Sequence, residues 1–105
     1  MLYELRQYQT HPGMRDKWVK YMEKTIIPFQ ISKGMVILGS FIDEEQENHY
    51  IWIRRFRNEA ERVRLYKAVY ESKEWVNKIK PKISDMLQGE GHVITRMLPT
   101  SKSAI

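Results

Sequence analysis

Two neighbouring segments of the chain are apolar on both of the faces that a β-strand would give them. They are residues 35–42 (MVILGSFI) and residues 50–56 (YIWIRRF), and acidic residues 43–48 connect them. Alternate side chains of a strand point to opposite faces, yet in each segment both sets contain large apolar residues. Such strands are typical of a sheet that is covered on both faces. A chain of 105 residues has enough helix to cover only one face, so we expect a second copy of the protein to cover the other.

The composition indicates one folded domain over residues 1–105. Apolar residues make up 42% of the chain and charged residues 30%, a balance that argues against disorder. The net charge of +5 includes no long block of like charge, which favours solvated helix faces over a nucleic-acid partner.

The sequence shows no sign of a membrane or a secreted location. No apolar run approaches the roughly 20 residues of a membrane span, and residues 1–6 are already typical of a strand, so we expect no signal peptide. The absence of cysteine excludes disulfides and thiolate metal sites. It also fits a reducing compartment, and we therefore predict a cytoplasmic location.

Local signals predict the first half of the element order. Residues 2–9 favour a strand, and Pro12 stands where a first helical residue is expected. A stripe of apolar residues at helical spacing follows: Met14, Trp18, Met22, Ile26 and Phe29. We expect Pro28 to kink or end this helix, and Gly34 to stop any continuation of it.

The second half begins with a predicted capping box. Asn58 can accept from the first-turn amides of a helix while Glu61 reaches back. Ser72 predicts a second N-cap, Pro81 interrupts the helix that follows, and residues 92–98 form the last strand.

The resulting order is strand, helix, strand, strand, helix, strand. This α+β order is the ferredoxin-like βαββαβ arrangement. Right-handed crossovers then place both helices on one face of a four-stranded antiparallel sheet.

Parity along the first strand predicts which face carries a functional site. Tyr3 and Leu5 are the more apolar pair, so we assign them to the helices. Glu4, Arg6 and Tyr8 are then expected on the face away from the helices.

The third strand is expected to complete that face with Tyr50, Trp52 and Arg54. Large aromatic side chains with a few charged groups are typical of a pocket wall. We expect this wall to enclose, between the sheet and a dimer partner, a cavity that binds a small, largely apolar molecule. The alternative that Glu4 and an arginine form only a satisfied ion pair remains open.

The remaining polar residues offer no recognisable cofactor site. His11, His49 and His92 share no metal-ligand spacing, so we expect neither a metal nor a cofactor. The glycines of an RNA-recognition motif are missing from residues 50–56, which argues against RNA binding.

Several short pieces, in the right order over nearly the whole chain, resemble the NIPSNAP family of dimeric α+β barrel proteins. The pieces are Tyr3-Glu-Leu-Arg6 with Tyr8, Pro12-Gly13, Trp52, Phe56 with Glu61-Arg62, Glu74-Trp75, and Met97-Leu-Pro99 with Ser101. The resemblance implies a ferredoxin-like protomer and a homodimer whose two sheets close into a barrel. Members include proteins of unknown activity. The wider superfamily includes cofactor-independent monooxygenases, haem-degrading enzymes and small-molecule isomerases, and the chain lacks a mid-strand histidine for haem.

Two classes of function remain open from the sequence. In an enzyme, a cofactor-free monooxygenase or isomerase, Arg6 or Arg54 would hold an anion and Glu4 or His49 would move a proton. The cavity walls would be formed by Tyr8, Tyr50 and Trp52. In a non-catalytic dimer, the same groove would bind a ligand or a partner. We expect the position of Glu4, in open cavity space or tied to an arginine, to distinguish the two.

Overall fold

The computed structural model describes residues 1–105 and confirms the predicted fold class. Four strands form one antiparallel sheet: β1 (Leu2–Gln9), β2 (Val36–Ile42), β3 (His49–Phe56) and β4 (Val93–Met97). Their order across the sheet is β2-β3-β1-β4. This is the ferredoxin-like topology, in which the first and third strands are central.

Three helical rods accompany the sheet. The first runs without a break through α1 (Arg15–Tyr21), a π-helical turn (Met22–Ile26) and α2 (Ile27–Ser32). The second is α3 (Glu59–Tyr70), and the third joins a π-helical turn (Trp75–Ile79) to α4 (Lys80–Ile83).

Proline widens two of these rods instead of ending them. The N–H of Ile27, just before Pro28, donates to the carbonyl of Met22, five residues back. The N–H of Lys80, just before Pro81, donates to the carbonyl of Trp75 in the same way. A proline ring clashes with the carbonyl four residues before it, and a one-residue widening relieves that clash. Pro28 therefore does not end its helix.

The predicted helix signals are present in the structure, except that Pro12 lies in a turn and the first helix begins at Arg15. The side-chain oxygen of Asn58 accepts from the N–H of Glu61 at 2.9 Å, and the Glu61 carboxylate accepts from the N–H of Arg57 at 3.1 Å. The Ser72 hydroxyl accepts from the N–H of Trp75 at 3.1 Å. Gly34 takes a left-handed φ of 105° just after α2, as a helix stop requires.

The helices pack on the sheet face that carries Glu4 and Arg54, whereas strand parity predicts that they pack on the opposite face. This inner face consists of Leu2, Glu4, Arg6 and Tyr8 from β1 and Tyr50, Trp52, Arg54 and Phe56 from β3. Trp52 belongs to the same buried core as Trp18 and Met22 of the first rod. These residues share one face as predicted, but their placement away from the helices is wrong.

A buried charge pair explains the reversed parity. Glu4 and Arg54 face each other across β1 and β3 and neutralise each other, so both tolerate burial under the helices. Tyr3, on the other face, is covered instead by the end of the chain, where its hydroxyl donates to the Ile105 carbonyl.

The outer face, which the helices leave uncovered, carries large apolar side chains beside polar ones such as Gln7 and Arg55. It includes Leu5, Phe41, Ile51, Ile53 and Val93. Phe41 and Val93 are 52% and 51% exposed. Both faces of the sheet thus carry apolar residues, as expected. The helices, however, cover the face that the sequence assigns to a dimer partner.

None of the helices is long and apolar enough to cross a membrane. The cytoplasmic location and the lack of a nucleic-acid partner stay predictions.

The cap of α3 gives a first test of this fold. Replacing Asn58 by alanine is expected to lower the free energy of unfolding by about 1 kcal/mol, because the Glu61 N–H loses its acceptor. Asn77→Ala is the matched control, since Asn77 is exposed in mid-helix. Urea unfolding followed by circular dichroism measures both. Equal losses in the two variants would contradict the capping role.

Candidate functional site

A cavity of about 280 Å³ lies between the inner face of the sheet and the helical rods. Its lining combines aromatic and aliphatic side chains with one cation and one histidine: Arg6, Tyr8, Trp18, Met22, Ile26, Trp52, Tyr70, Trp75, Ile83, Leu87 and His92. Both π-helical turns contribute, through Met22 and Ile26 in one and Trp75 in the other. Their widened backbone thus borders the cavity, as π-turns often do at functional sites.

Arg6 is the one permanently charged residue of the lining. Its Nε donates to the Tyr8 hydroxyl at 2.7 Å and its Nη1 to the Tyr66 hydroxyl at 3.2 Å. Burial by itself lowers the pKa of Arg6, but Tyr8 and Tyr70 outweigh it, so this pKa is raised and the side chain stays protonated. No carboxylate lies within ion-pair distance of Arg6, whereas Arg54, Arg57, Arg62, Arg64 and Arg96 each have one. The cavity wall therefore carries an uncompensated positive charge.

Tyr8 adds a neutral hydrogen-bond donor beside that charge. Burial raises the pKa of Tyr8, against the opposing effect of Arg6, so the phenol keeps its proton. Its oxygen accepts from Arg6, and the protein offers no acceptor for its own O–H. The indole N–H groups of Trp18 and Trp52 are also buried without a partner. The lining is thus rich in donors and contains no carboxylate.

Behind the cavity, Glu4 and Arg54 form a closed polar network. The Arg54 Nη2 lies 2.8 Å from the Glu4 carboxylate, and the two side chains are 0% and 1% exposed. The Tyr66 hydroxyl donates to Glu4 at 2.6 Å, and Arg54 also donates to Gln30 and Tyr70. Glu4 is therefore paired with an arginine across the sheet and does not reach open cavity space. This is the ion-pair alternative of the sequence analysis.

Tyr66 of α3 joins this network to the cavity. Its oxygen accepts from Arg54 at 3.0 Å and from Arg6 at 3.2 Å while its proton goes to Glu4. The buried pair thereby fixes one side of the Arg6 guanidinium, and Tyr8 fixes another. Arg6 is held in place by neutral phenols that leave its charge intact.

The cavity brings together only part of the predicted site. Arg6, Tyr8 and Trp52 line it. Glu4 and Arg54 lie in the closed network behind it. The expected cavity between the sheet and a dimer partner is corrected to one between the sheet and its own helices.

Two further predicted residues also lie outside the lining. Tyr50 is fully buried and its hydroxyl is bonded to Ser40. His49 begins β3 and bonds to the Gln9 side chain at 2.9 Å. Neither contacts the cavity, so a direct role for His49 on a ligand held there is not supported.

Among the lining residues that the predicted site lacked, His92 is the one with a ring nitrogen that could accept a proton. Its ring packs edge-to-face on Tyr8, with centroids 5.0 Å apart. Pairing of Gln7 with Val93 puts His92 beside Tyr8 at the end of the ladder. The sequence places His92 at the start of the last strand. Only the pairing of that strand with β1 shows that His92 lies beside Tyr8.

No group of three histidine, aspartate or glutamate side chains is arranged to hold a metal ion. The lining therefore offers donors to a ligand and no set of ligands to a cation.

Fold and site together define a ferredoxin-like α+β protein with a small donor-lined cavity under its sheet. The NIPSNAP family model matches residues 3–102, and the chain belongs to the NIPSNAP family. A comparison with curated proteins finds no match.

Solved structures agree with this assignment. A NIPSNAP family protein with unknown function from Agrobacterium tumefaciens is 26% identical, with a TM-score of 0.87 over 99% of this chain and 92% of that one. An uncharacterized NIPSNAP domain protein from Burkholderia xenovorans is 15% identical, with a TM-score of 0.86 over 98% of each chain. An antibiotic biosynthesis monooxygenase is 14% identical, with a TM-score of 0.68 over 95% of this chain and 99% of that one. At 15% and 14% identity, the last two comparisons show only that the fold is shared.

The buried pair gives a second test. Glu4→Gln is expected to lower the free energy of unfolding by about 3–5 kcal/mol, because it leaves the Arg54 charge buried without a counter-charge. Glu74→Gln is the control, since it removes an exposed pair with Lys78 and is expected to cost less than about 1 kcal/mol. Urea denaturation measures both, and a Glu4→Gln loss as small as that of the control would refute the structural role.

Proposed function

We propose that this protein binds a small, largely apolar molecule through an anionic or enolic oxygen in the cavity between the sheet and the helices. The observation that carries the proposal is Arg6, a half-buried cation that lines the cavity without a carboxylate partner. Charges that are partly withdrawn from water are stabilised by a counter-charge, and a ligand anion would supply the one that Arg6 lacks.

The geometry around Arg6 supports this choice of head group. The guanidinium retains N–H groups that no protein atom accepts, and the Tyr8 O–H lies beside it. A carboxylate, phenolate or enolate oxygen can accept from both, and charge-assisted hydrogen bonds of this kind are the stronger ones.

The apolar remainder of the lining supports the rest of the ligand. All three tryptophans of the chain, Trp18, Trp52 and Trp75, border the cavity. A volume of about 280 Å³ is close to the lower end of ligand pockets and suits a molecule of one or two rings.

Catalysis on such a ligand is the second candidate. Donors that stabilise an enolate would serve a cofactor-independent monooxygenase, in which a substrate CH₂ group becomes C=O and O₂ supplies one oxygen to the product and one to water. The fold likeness to an antibiotic biosynthesis monooxygenase is consistent with this reaction class. The same donors would serve an isomerase that passes through an enolate.

The residues that could move a proton differ from those predicted. Glu4 is held by Arg54 and Tyr66, which favours the binding class over a Glu4-based enzyme. His92 is the base that the lining offers, since its Nε2 is bonded to the Gln88 carbonyl and its other ring nitrogen is free to accept.

We also propose that two copies associate through the outer face into a homodimer. A patch with exposed Phe41 and Val93 and half-buried Ile53 would be an aggregation liability on a monomer. Pairing of this face with itself about a two-fold axis would hide it and leave both cavities intact.

Arg6 is tested with two probes of the same shape, 2-naphthoate and neutral 2-naphthamide. Arg6→Met is expected to weaken 2-naphthoate about 10- to 100-fold, because a charged hydrogen-bond donor is lost, and to leave 2-naphthamide nearly unchanged. Isothermal titration calorimetry measures both. Arg64→Met, on the exposed side of α3, is the control. Unchanged naphthoate affinity in Arg6→Met would overturn the proposed function.

The homodimer is tested by light scattering at micromolar concentration. Ile53→Lys is expected to give a monomer, because it places a charge in the middle of the outer face. Val76→Lys, at an exposed helical position, is expected to leave the dimer intact. A monomeric wild-type protein would refute the dimer without affecting the cavity.

A further inference from the structure

A second, more open cavity adjoins the first. It has a volume of about 570 Å³ and lies around α4 and the turn before β4; we call it the vestibule. Trp75, Ile83, Leu87 and His92 line both spaces and so form their common boundary.

His92 is the exposed part of this boundary. Trp75 and Leu87 are buried, whereas His92 is exposed and follows Gly91, which has a left-handed φ of 85°. Its ring rests on Tyr8, which also holds Arg6. A rotation of this one side chain away from Tyr8 would break its hydrogen bond to the Gln88 carbonyl and widen the passage between the cavity and the vestibule.

The vestibule carries positive charge that no protein group neutralises. Lys80 lines it and makes no ion pair, although Lys78 in the same rod pairs with Glu74 at 3.5 Å. The other polar side chains of the lining come from histidine, serine and glutamine, and no carboxylate is among them. The cavity and its vestibule thus each contain one unpaired cation, Arg6 and Lys80.

We propose that the ligand is an elongated amphipathic molecule with an anionic group at each end. Its ring-bearing body and head group occupy the cavity at Arg6, and a tail passes His92 to place a carboxylate or similar anion beside Lys80. This proposal rests on the proposed function and extends the same site into the vestibule.

The test uses three probes, the first of which is 2-naphthoate. The other two are 2-naphthoate with a butoxy tail at position 6. The tail ends in a carboxylate in the acid-ended probe and in a neutral amide in the amide-ended probe. At low salt the acid-ended probe is expected to bind about two- to fivefold tighter than the amide-ended one, as an exposed ion pair allows. Lys80→Met is expected to abolish this difference and to leave 2-naphthoate affinity unchanged. Lys82→Met, on the same rod but outside the lining, is expected to keep it.

The outcomes separate the two proposals. Equal affinity for the acid-ended and amide-ended probes, or a difference that survives in Lys80→Met, overturns the vestibule site alone. Weaker binding of both tailed probes than of 2-naphthoate also overturns the vestibule site, because it shows that the tail does not pass His92. If 2-naphthoate itself does not bind the wild-type protein, the proposed function fails and the vestibule proposal fails with it.

Discussion

The buried ion pair between Glu4 and Arg54 is the interaction on which the rest of the structure depends. It joins the two central strands and is covered by the helices, where Tyr66, Tyr70 and Gln30 add hydrogen bonds and the Arg54 Nε is left without a partner. A half-satisfied network at this depth would cost more than an apolar core, so the pair fixes which face of the sheet the helices cover. That choice in turn brings Arg6 and Trp52 under the helices and leaves Leu5 and Ile53 outside.

The pair also separates two arginines into different roles. Arg54 is neutralised by Glu4 and has a structural role. Arg6, two residues after Glu4 on the same face, receives only phenolic partners and keeps its charge for the cavity. Tyr66 contacts both arginines, so the network also holds in place the Arg6 guanidinium that a ligand would contact. Such preorganisation lowers the cost of binding an anion, because the donors need not be ordered by the ligand.

The sequence predicted the element order because its signals are local. The caps at Asn58 and Ser72 and the apolar stripe of the first helix depend on neighbours within a few residues. It also predicted that Glu4 and Arg6 share a face, because parity along one strand decides this. It could not predict which face packs on the helices, since Tyr3 and Leu5 are the more apolar pair and the partner of Glu4 is not evident from the sequence. That partner is 50 residues away, and the pairing of His92 with Tyr8 is similarly non-local.

The central claim is that the cavity under the sheet, and not the outer face, is the binding site, with Arg6 as its anchor. The most direct test is a crystal structure of the wild-type protein with 2-naphthoate. We predict the naphthyl ring among Trp18, Trp52 and Trp75, with the carboxylate about 3 Å from the Arg6 guanidinium. A naphthoate bound between the outer faces of two copies, with Arg6 free of contact, would contradict it.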